Sequence, residues 1–214
     1  LTKKKIEKNI IINKASIDSR KTKKNNIFFG IKGKNFDGNK FVNQAFKNGS
    51  SISINKNKKK NKLKNDIYVK NPLKTFSEIA KLIRVSSNIS SIAITGSSGK
   101  TSLKEMLGQM ISKIYQTSYS KKSFNNKYGV PISLFNLNKE DKIGIFEVGM
   151  DKKGEIDFLT KKIMPNVGVI TNISYAHIKN FKNLKSIANA KSEIINNILE
   201  DGTIILNADD KFFK

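Results

Sequence analysis

The chain has 214 residues, enough for one large domain or two small ones, a formal net charge of +24 and no cysteine. It therefore forms no disulfide and no thiolate metal site, which suits a cytosolic protein, and it has no apolar run of about 18 residues to cross a membrane. The charge invites a nucleic-acid reading, yet every basic residue except Arg20 and Arg84 is a lysine, and the lysines travel with Asn and Ile throughout. Arginine is the better residue for bidentate phosphate and base contacts, so no specific nucleic-acid partner is expected, only salt-sensitive adhesion to polyanions. Leu1 is followed by a Lys-rich segment without an apolar h-region, so no signal peptide is read.

In chain order, residues 10–12 are expected to open a strand, followed by Ile17-Asp18-Ser19-Arg20. Residues 26–31 read as a buried strand and 33–39 as a loop. Phe41, Val42, Ala45 and Phe46 mark a short helix closed by Gly49. Strands at 51–54 and 67–69 flank a solvated Lys/Asn loop. Pro72 starts a helix whose apolar face is Leu73, Phe76, Ile79, Ala80 and Ile83. Ser86-Ser87-Asn88 is polar and marks a domain boundary, so residues 1–86 form a small α/β domain and 87–214 a second one.

The second domain opens on S-I-A-I-T-G-S-S-G-K-T-S, residues 91–102. A short β-branched strand, a glycine turn, Lys-Thr and a helix make the layout of a phosphate-binding loop. Thr95, Gly96, Ser97, Ser98, Gly99, Lys100, Thr101 and Ser102 are the candidate nucleotide-phosphate residues. The common longer form would have glycine where Ile94 stands, so the string alone is suggestive rather than decisive. Leu103, Met106, Leu107, Met110, Ile111 and Ile114 then lie at helical spacing on one face. Strands near 114–118, 143–148, 167–171 and 203–206 alternate with helices after Pro131, at 154–163 and at 184–199. Such alternation predicts an α/β fold: a doubly wound, mostly parallel sheet, incomplete at its end.

Sites in such sheets form beyond the carboxyl ends of the strands. Glu147 ends the strand I-G-I-F-E-V, where a carboxylate beside a phosphate loop can hold Mg²⁺, or simply be solvated. His177 lies in the loop after V-G-V-I-T and is the only histidine; a lone histidine there is more often structural than metal-binding. Lys191 interrupts the apolar stripe Leu184, Ile187, Ala188, Ile194, Ile195 and Ile198. Its ammonium either snorkels to solvent or is buried with a lowered pKa and raised nucleophilicity.

T-G-S-S-G-K-T-S-L-K-E-M, S-F-N-N-K-Y-G-V-P (123–131), F-E-V-G-M-D-K-K-G-E-I (146–156), T-N-I-S-Y-A-H (171–177) and A-K-S-E-I (190–194) together resemble the Mur ligases, ATP-dependent amide-forming enzymes of peptidoglycan synthesis. D-S-R and D-G-N-K-F (37–41) fit as well, although the family usually has His where Asn39 stands. Gly149-Met150 and Gly154-Glu155-Ile156 favour the D-alanyl-D-alanine-adding type over the diaminopimelate- or lysine-adding one.

The resemblance implies a UDP-sugar-binding first domain and an ATP-binding second domain. It implies that Lys100 and the loop amides hold ATP, and that Thr101 and Glu147 bind one Mg²⁺. His177 would help bind a second, with Lys191 as an N-carboxylated lysine. Asn125 and Asn126 would lie near the UDP-N-acetylmuramoyl-tripeptide, and Ser19 and Arg20 near its UDP part, although an ion pair would equally account for Arg20. Lys100, Glu147, His177 and Lys191 are the implied catalytic set, D-alanyl-D-alanine is the implied second substrate, and the enzyme is expected to be a monomer. The family continues with the rest of the ATPase domain and a third domain, so the chain reads as a fragment, expected to be inactive alone. Another Mur-like ligase, such as the diaminopimelate-adding enzyme or folylpolyglutamate synthase, is the alternative within the class; a basic nucleic-acid-binding module is the alternative outside it.

Overall fold

The computed structural model describes residues 10–57, 65–120, 123–175 and 180–212. The chain divides into two compact units, 1–79 and 80–214. The division falls inside a helix rather than at the polar Ser86-Ser87-Asn88 stretch.

The first unit is a four-stranded sheet of β1 (Lys14–Ser16), β2 (Asn26–Phe29), β3 (Ser50–Asn55) and β4 (Asp66–Tyr68), in that order and all parallel. The strand expected at 10–12 instead begins at Lys14. Ile11 and Ile12 are exposed, and the ladder with β2 starts only at the Lys14–Asn26 pair. Successive strand residues point to opposite faces, so β2 serves two layers. Phe28 packs with Val42, Ala45 and Phe46 of α1 (Val42–Lys47), while Phe29 meets Phe76 of α2 (Pro72–Ser86) at 4.6 Å between ring centroids.

The second unit is a five-stranded parallel sheet of β5 (Ser90–Thr95), β6 (Thr117–Tyr119), β7 (Ile143–Glu147), β8 (Val167–Ile170) and β9 (Thr203–Leu206), in the order β6-β7-β5-β8-β9. Its helices are α3 (Lys100–Ile111), α4 (Gly129–Phe135), α5 (Glu155–Ile163) and α6 (Leu184–Ser192). Alternation again splits the strands. Ala93, Phe146 and Ile170 join a core with Val130, Leu134, Ile156, Leu159, Ile163 and Ile187 of α4, α5 and α6. Ile94, Ile145 and Val169 face the other way, against Leu103, Leu107 and Ile111 of α3. Both faces are covered, as the α/β reading anticipates.

Two helices differ from expectation. On α3 only Leu103, Leu107 and Ile111 of the expected face meet the sheet; Met106, Met110 and Ile114 are exposed, whereas Met150 is buried in the core. Lys104 and Gly108 occupy the buried side instead, because Tyr119 lies so close that a Cβ on Gly108 would meet its ring at 2.6 Å. The helix expected over 184–199 is α-helical only to Ser192 and tightens into a 3-10 turn over Glu193–Asn197. There Asn197 donates to Asp157 Oδ1 and Thr160 Oγ1 of α5, and Glu193 accepts from the amides of Gly154 and Asp157 at the start of α5.

Candidate active site

β5 is the central strand, flanked by β7 and β8, so its C-terminal loop lies between the ends of both neighbours. Gly96 has φ +149°, and an added Cβ would fall 1.8 Å from Thr171 Oγ1 after β8. Gly99 has φ +78° and forms the N-cap of α3. No side chain caps that helix, and no acceptor engages the amides of Gly99, Lys100, Thr101 and Ser102 among the described residues. Consecutive free N–H groups at the positive end of a helix favour an anion. Lys100 Nζ folds back over the loop and donates to the carbonyls of Gly96 at 2.8 Å and Ser97 at 3.3 Å. Burial lowers its pKa, and the negative charge of Glu147 partly offsets this.

Glu147 ends β7 and is 2% exposed. Its Oε2 accepts from Thr101 Oγ1 and its Oε1 from Asn125 Nδ2, both at 2.8 Å. The Thr101 hydroxyl and the Glu147 carboxylate are hard oxygen donors side by side next to the anion loop. This donor set fits Mg²⁺, which takes few protein oxygens and completes its shell with water and phosphate. Among the described residues no three His, Cys, Asp or Glu side chains gather into a metal-binding group. His177 lies outside the described residues.

Lys191 is buried on α6, with no carboxylate partner among the described residues. Burial, and secondarily the charge of Lys100, lower its pKa to about 8. It shares a cleft of about 670 Å³ with Gly96, Lys100, Asn125 and Asn126. Asn126 itself caps α4, accepting from the amides of Tyr128 and Gly129 at 3.0 Å. Thr95 is fully buried at the end of β5. Ser97 and Ser98 are held by the segment after β8.

In the first unit, Ser19 donates to Gln44 Oε1 and Arg20 forms a bidentate pair with Asp18, its Nε and Nη2 each 2.9 Å from a carboxylate oxygen. The pairing lowers the Asp18 pKa and raises that of Arg20. The ion-pair account of Arg20 is thus realised; its guanidinium is also largely exposed.

Sequence reasoning missed three groups near the site. Thr171 and Asn172 hold the loop, Glu193 holds the N-terminus of α5, and Lys104 donates to Ser120 from a fully buried position on α3. Thr171, Asn172 and Glu193 all lie within strings already singled out, T-N-I-S-Y-A-H and A-K-S-E-I. For Thr171 and Asn172 the adjacency of β8 to β5 was the missing information.

A glycine loop with free amides, a Lys–Thr pair and a strand-end carboxylate, on a parallel doubly wound sheet, defines a phosphate-loop α/β protein. A family model described as the Mur ligase middle domain matches residues 94–214, more than half of the chain, and one described as the Mur ligase family catalytic domain matches residues 12–115. The chain belongs to the Mur ligase family. The UDP-N-acetylmuramoyl-tripeptide–D-alanyl-D-alanine ligase of Buchnera aphidicola subsp. Baizongia pistaciae is 37% identical over 95% of this chain and 45% of the relative, and that of Bacillus subtilis 34% identical over 94% and 44%. Among solved structures, MurF from Acinetobacter baumannii superposes with a TM-score of 0.86 at 34% identity, covering 94% of this chain and 44% of its own. MurF from Thermotoga maritima in complex with ADP gives 0.84 at 28%, covering 94% and 47%. A diaminopimelate ligase shares the fold alone, at 17% identity and a TM-score of 0.55. The chain spans a little under half the length of the relatives it matches.

Proposed function

We propose that this chain is part of an ATP-dependent ligase that joins D-alanyl-D-alanine to UDP-N-acetylmuramoyl-tripeptide in peptidoglycan synthesis. The observation that carries the reading is the convergence of the free Gly99–Ser102 amides, Lys100, the Thr101–Glu147 pair and the buried Lys191 beyond the carboxyl end of the central strand. The names and identities of the relatives support the D-alanyl-D-alanine-adding type over the diaminopimelate-adding alternative.

In this reading residues 1–86 bind the UDP-sugar, with Ser19 and Arg20 near the UDP part, and 87–214 bind ATP. The peptide carboxylate attacks the γ-phosphorus of ATP, giving an acyl phosphate and ADP. The dipeptide amine then attacks the acyl carbon, the C–O bond to phosphate breaks, phosphate leaves and the amine loses its proton. Phosphorylation is needed because an unactivated carboxylate offers only an oxide as leaving group. The loop amides and Lys100 stabilise charge on the transferring phosphoryl group, and Asn125 and Asn126 orient the peptide. Thr101 and Glu147 would hold one Mg²⁺ and His177, with Lys191, a second; the metal supplies Lewis-acid charge neutralisation when bound. Lys191 is proposed to carry a carboxylate on Nζ: its neutral amine adds to CO₂ and releases a proton, turning a buried cation beside Lys100 into an oxygen donor. Its burial without a carboxylate partner among the described residues supports this. The enzyme is proposed to act in the cytoplasm as a monomer, and the 214-residue chain alone to be inactive.

The test is ligation by the full-length protein. UDP-N-acetylmuramoyl-pentapeptide, ADP and phosphate are expected from the tripeptide, D-alanyl-D-alanine and ATP. Faster turnover with diaminopimelate and the dipeptide precursor would overturn the assignment. For Lys191, a ¹³C-bicarbonate-derived carbamate signal is expected in the wild type and absent in Lys191→Ala. An unmodified amine in active, CO₂-equilibrated enzyme would remove that part.

A further inference from the structure

The phosphate loop is fastened to the end of the neighbouring strand by a set of hydrogen bonds that engages the Ser97 and Ser98 amides and leaves the four from Gly99 to Ser102 free. After β8, Asn172 Oδ1 accepts from the amides of Ser97 at 3.2 Å and Ser98 at 3.0 Å, and its Nδ2 donates to Ser98 Oγ at 2.8 Å. The Asn172 carbonyl also accepts from the Ser97 amide, at 3.0 Å. Thr171 Oγ1 donates to the Ser98 carbonyl at 2.6 Å from the space that the missing Gly96 side chain leaves open. Ser97 Oγ donates to the Ser174 carbonyl and accepts from the Ser174 amide, both at 2.9 Å. The segment is anchored on its other side too, where Ile173 donates its amide to Asp210 Oδ2 beyond β9.

We propose that Thr171 and Asn172 are positioning residues for the phosphate loop, acting through it rather than on the substrate. They divide its donors into two sets. Ser97 and Ser98 are committed to β8, whereas Gly99 to Ser102 are left unengaged and aimed as a group. Backbone amides left without a fixed partner relax toward intraloop carbonyls or water, and a phosphate must then reorganise them before it binds. Donors held in place need no such rearrangement, which is the source of electrostatic preorganisation. An amide suits this position better than a carboxylate. Asn172 accepts two N–H groups and donates one N–H, and Asp would add a negative charge next to bound phosphate.

The inference rests on the reading of this loop as the ATP phosphate site, and the experiment separates the two. Binding of ATP and of inorganic tripolyphosphate to the full-length protein is measured by calorimetry for the wild type, Asn172→Ala, Thr171→Val and Thr171→Ser. Michaelis constants for ATP and for the UDP-linked substrate are measured alongside. The expected result is about tenfold weaker ATP and tripolyphosphate binding for Asn172→Ala and Thr171→Val, equivalent to one well-placed hydrogen bond. Thr171→Ser, which keeps the hydroxyl, should recover most of the loss, and the Michaelis constant for the UDP-linked substrate should not move. Unchanged affinity for ATP and tripolyphosphate in both disruptive variants, or equal weakening of both substrates with a lowered melting temperature, would overturn the positioning role. A wild type that binds neither ATP nor tripolyphosphate would instead overturn the phosphate-site reading beneath it.

Discussion

Two side chains decide what the cleft can do. Glu147 is tied on one oxygen to Thr101 and on the other to Asn125, so it faces two donors. Glu147→Gln can keep both hydrogen bonds, because the Thr101 hydroxyl can accept from the new NH₂, but it removes the charge a cation needs. In the full-length protein, ligase activity should fall at least about 100-fold with a raised Mg²⁺ requirement and an unchanged circular dichroism spectrum. Lys191 bears on stability. Its pKa of about 8 lies below the ordinary 10.5, so between those values the unfolded chain holds a proton that the folded chain lacks. Stability therefore rises with pH across that window, and below about pH 8 the burden of the buried cation is fully present. In CO₂-free buffer, Lys191→Met should gain on the order of 2 kcal/mol at pH 7 and flatten the rise, read from denaturant melts at pH 7 and pH 10. Equal slopes in both proteins would contradict this.

Much of this was legible from residue types alone. Lys100, Thr101 and Glu147 stand where strand-end logic expects them, because a short apolar strand followed by Gly or an acid signals its own terminus. The side-chain partners were not legible. Arg20 finds Asp18 two residues away, and Asn172 finds a loop 75 residues earlier, yet a single sequence weighs neither pairing against a ligand contact. Lys104 reads as a surface lysine, and only the closeness of Tyr119 to Gly108 exposes why that side of α3 is buried.

At the scale of elements, the long apolar helices and buried strands were recognisable because burial on both faces leaves near-continuous β-branched runs. Their ends were not. The residues 10–12 run is as apolar as a strand, but it has no neighbour to pair with until Lys14. The α6 stripe continues past Ser192, yet the chain tightens there to reach α5. Glu193 accepts from the amides of Gly154 at 2.8 Å and Asp157 at 3.2 Å, which makes it a remote cap for α5. Glu193→Ala should cost about 1–2 kcal/mol and raise amide exchange at the start of α5. Loss of exchange protection elsewhere but not there would argue against the cap. Gly96→Ala combines an unfavourable φ with a collision against Thr171, so a loss of about 2–4 kcal/mol is expected in thermal melts. A melt within 0.5 kcal/mol of wild type would mean that the loop moves aside at little cost.

For the molecule as a whole, the charge of +24 governs encounters more than fold. Retention on a heparin column should fall steeply between about 50 and 200 mM salt, as counterion release requires. Retention that persists at higher salt, together with sequence preference in a DNA titration, would restore the nucleic-acid alternative. Both sheets are parallel throughout, so each strand is reached only by a crossover, and the candidate-site residues of the second unit come from several separate stretches: Lys100 and Thr101 after β5, Asn125 and Asn126 after β6, Glu147 at the end of β7 and Lys191 on α6. The candidate site is thus assembled from sequence-distant pieces held by the sheet.

The placement of methionine follows from the way α3 turns its apolar row. Of the four methionines, Met106 and Met110 stand exposed one helical turn apart, while Met150 is buried in the core of the second unit, where it backs the cleft. Dilute peroxide should oxidise the first pair in the native protein and reach Met150 only when the second unit opens. The chain therefore carries its own chemical clock, in which sulfoxide at Met150 relative to Met110, read by mass spectrometry, measures opening of the second unit without any added label.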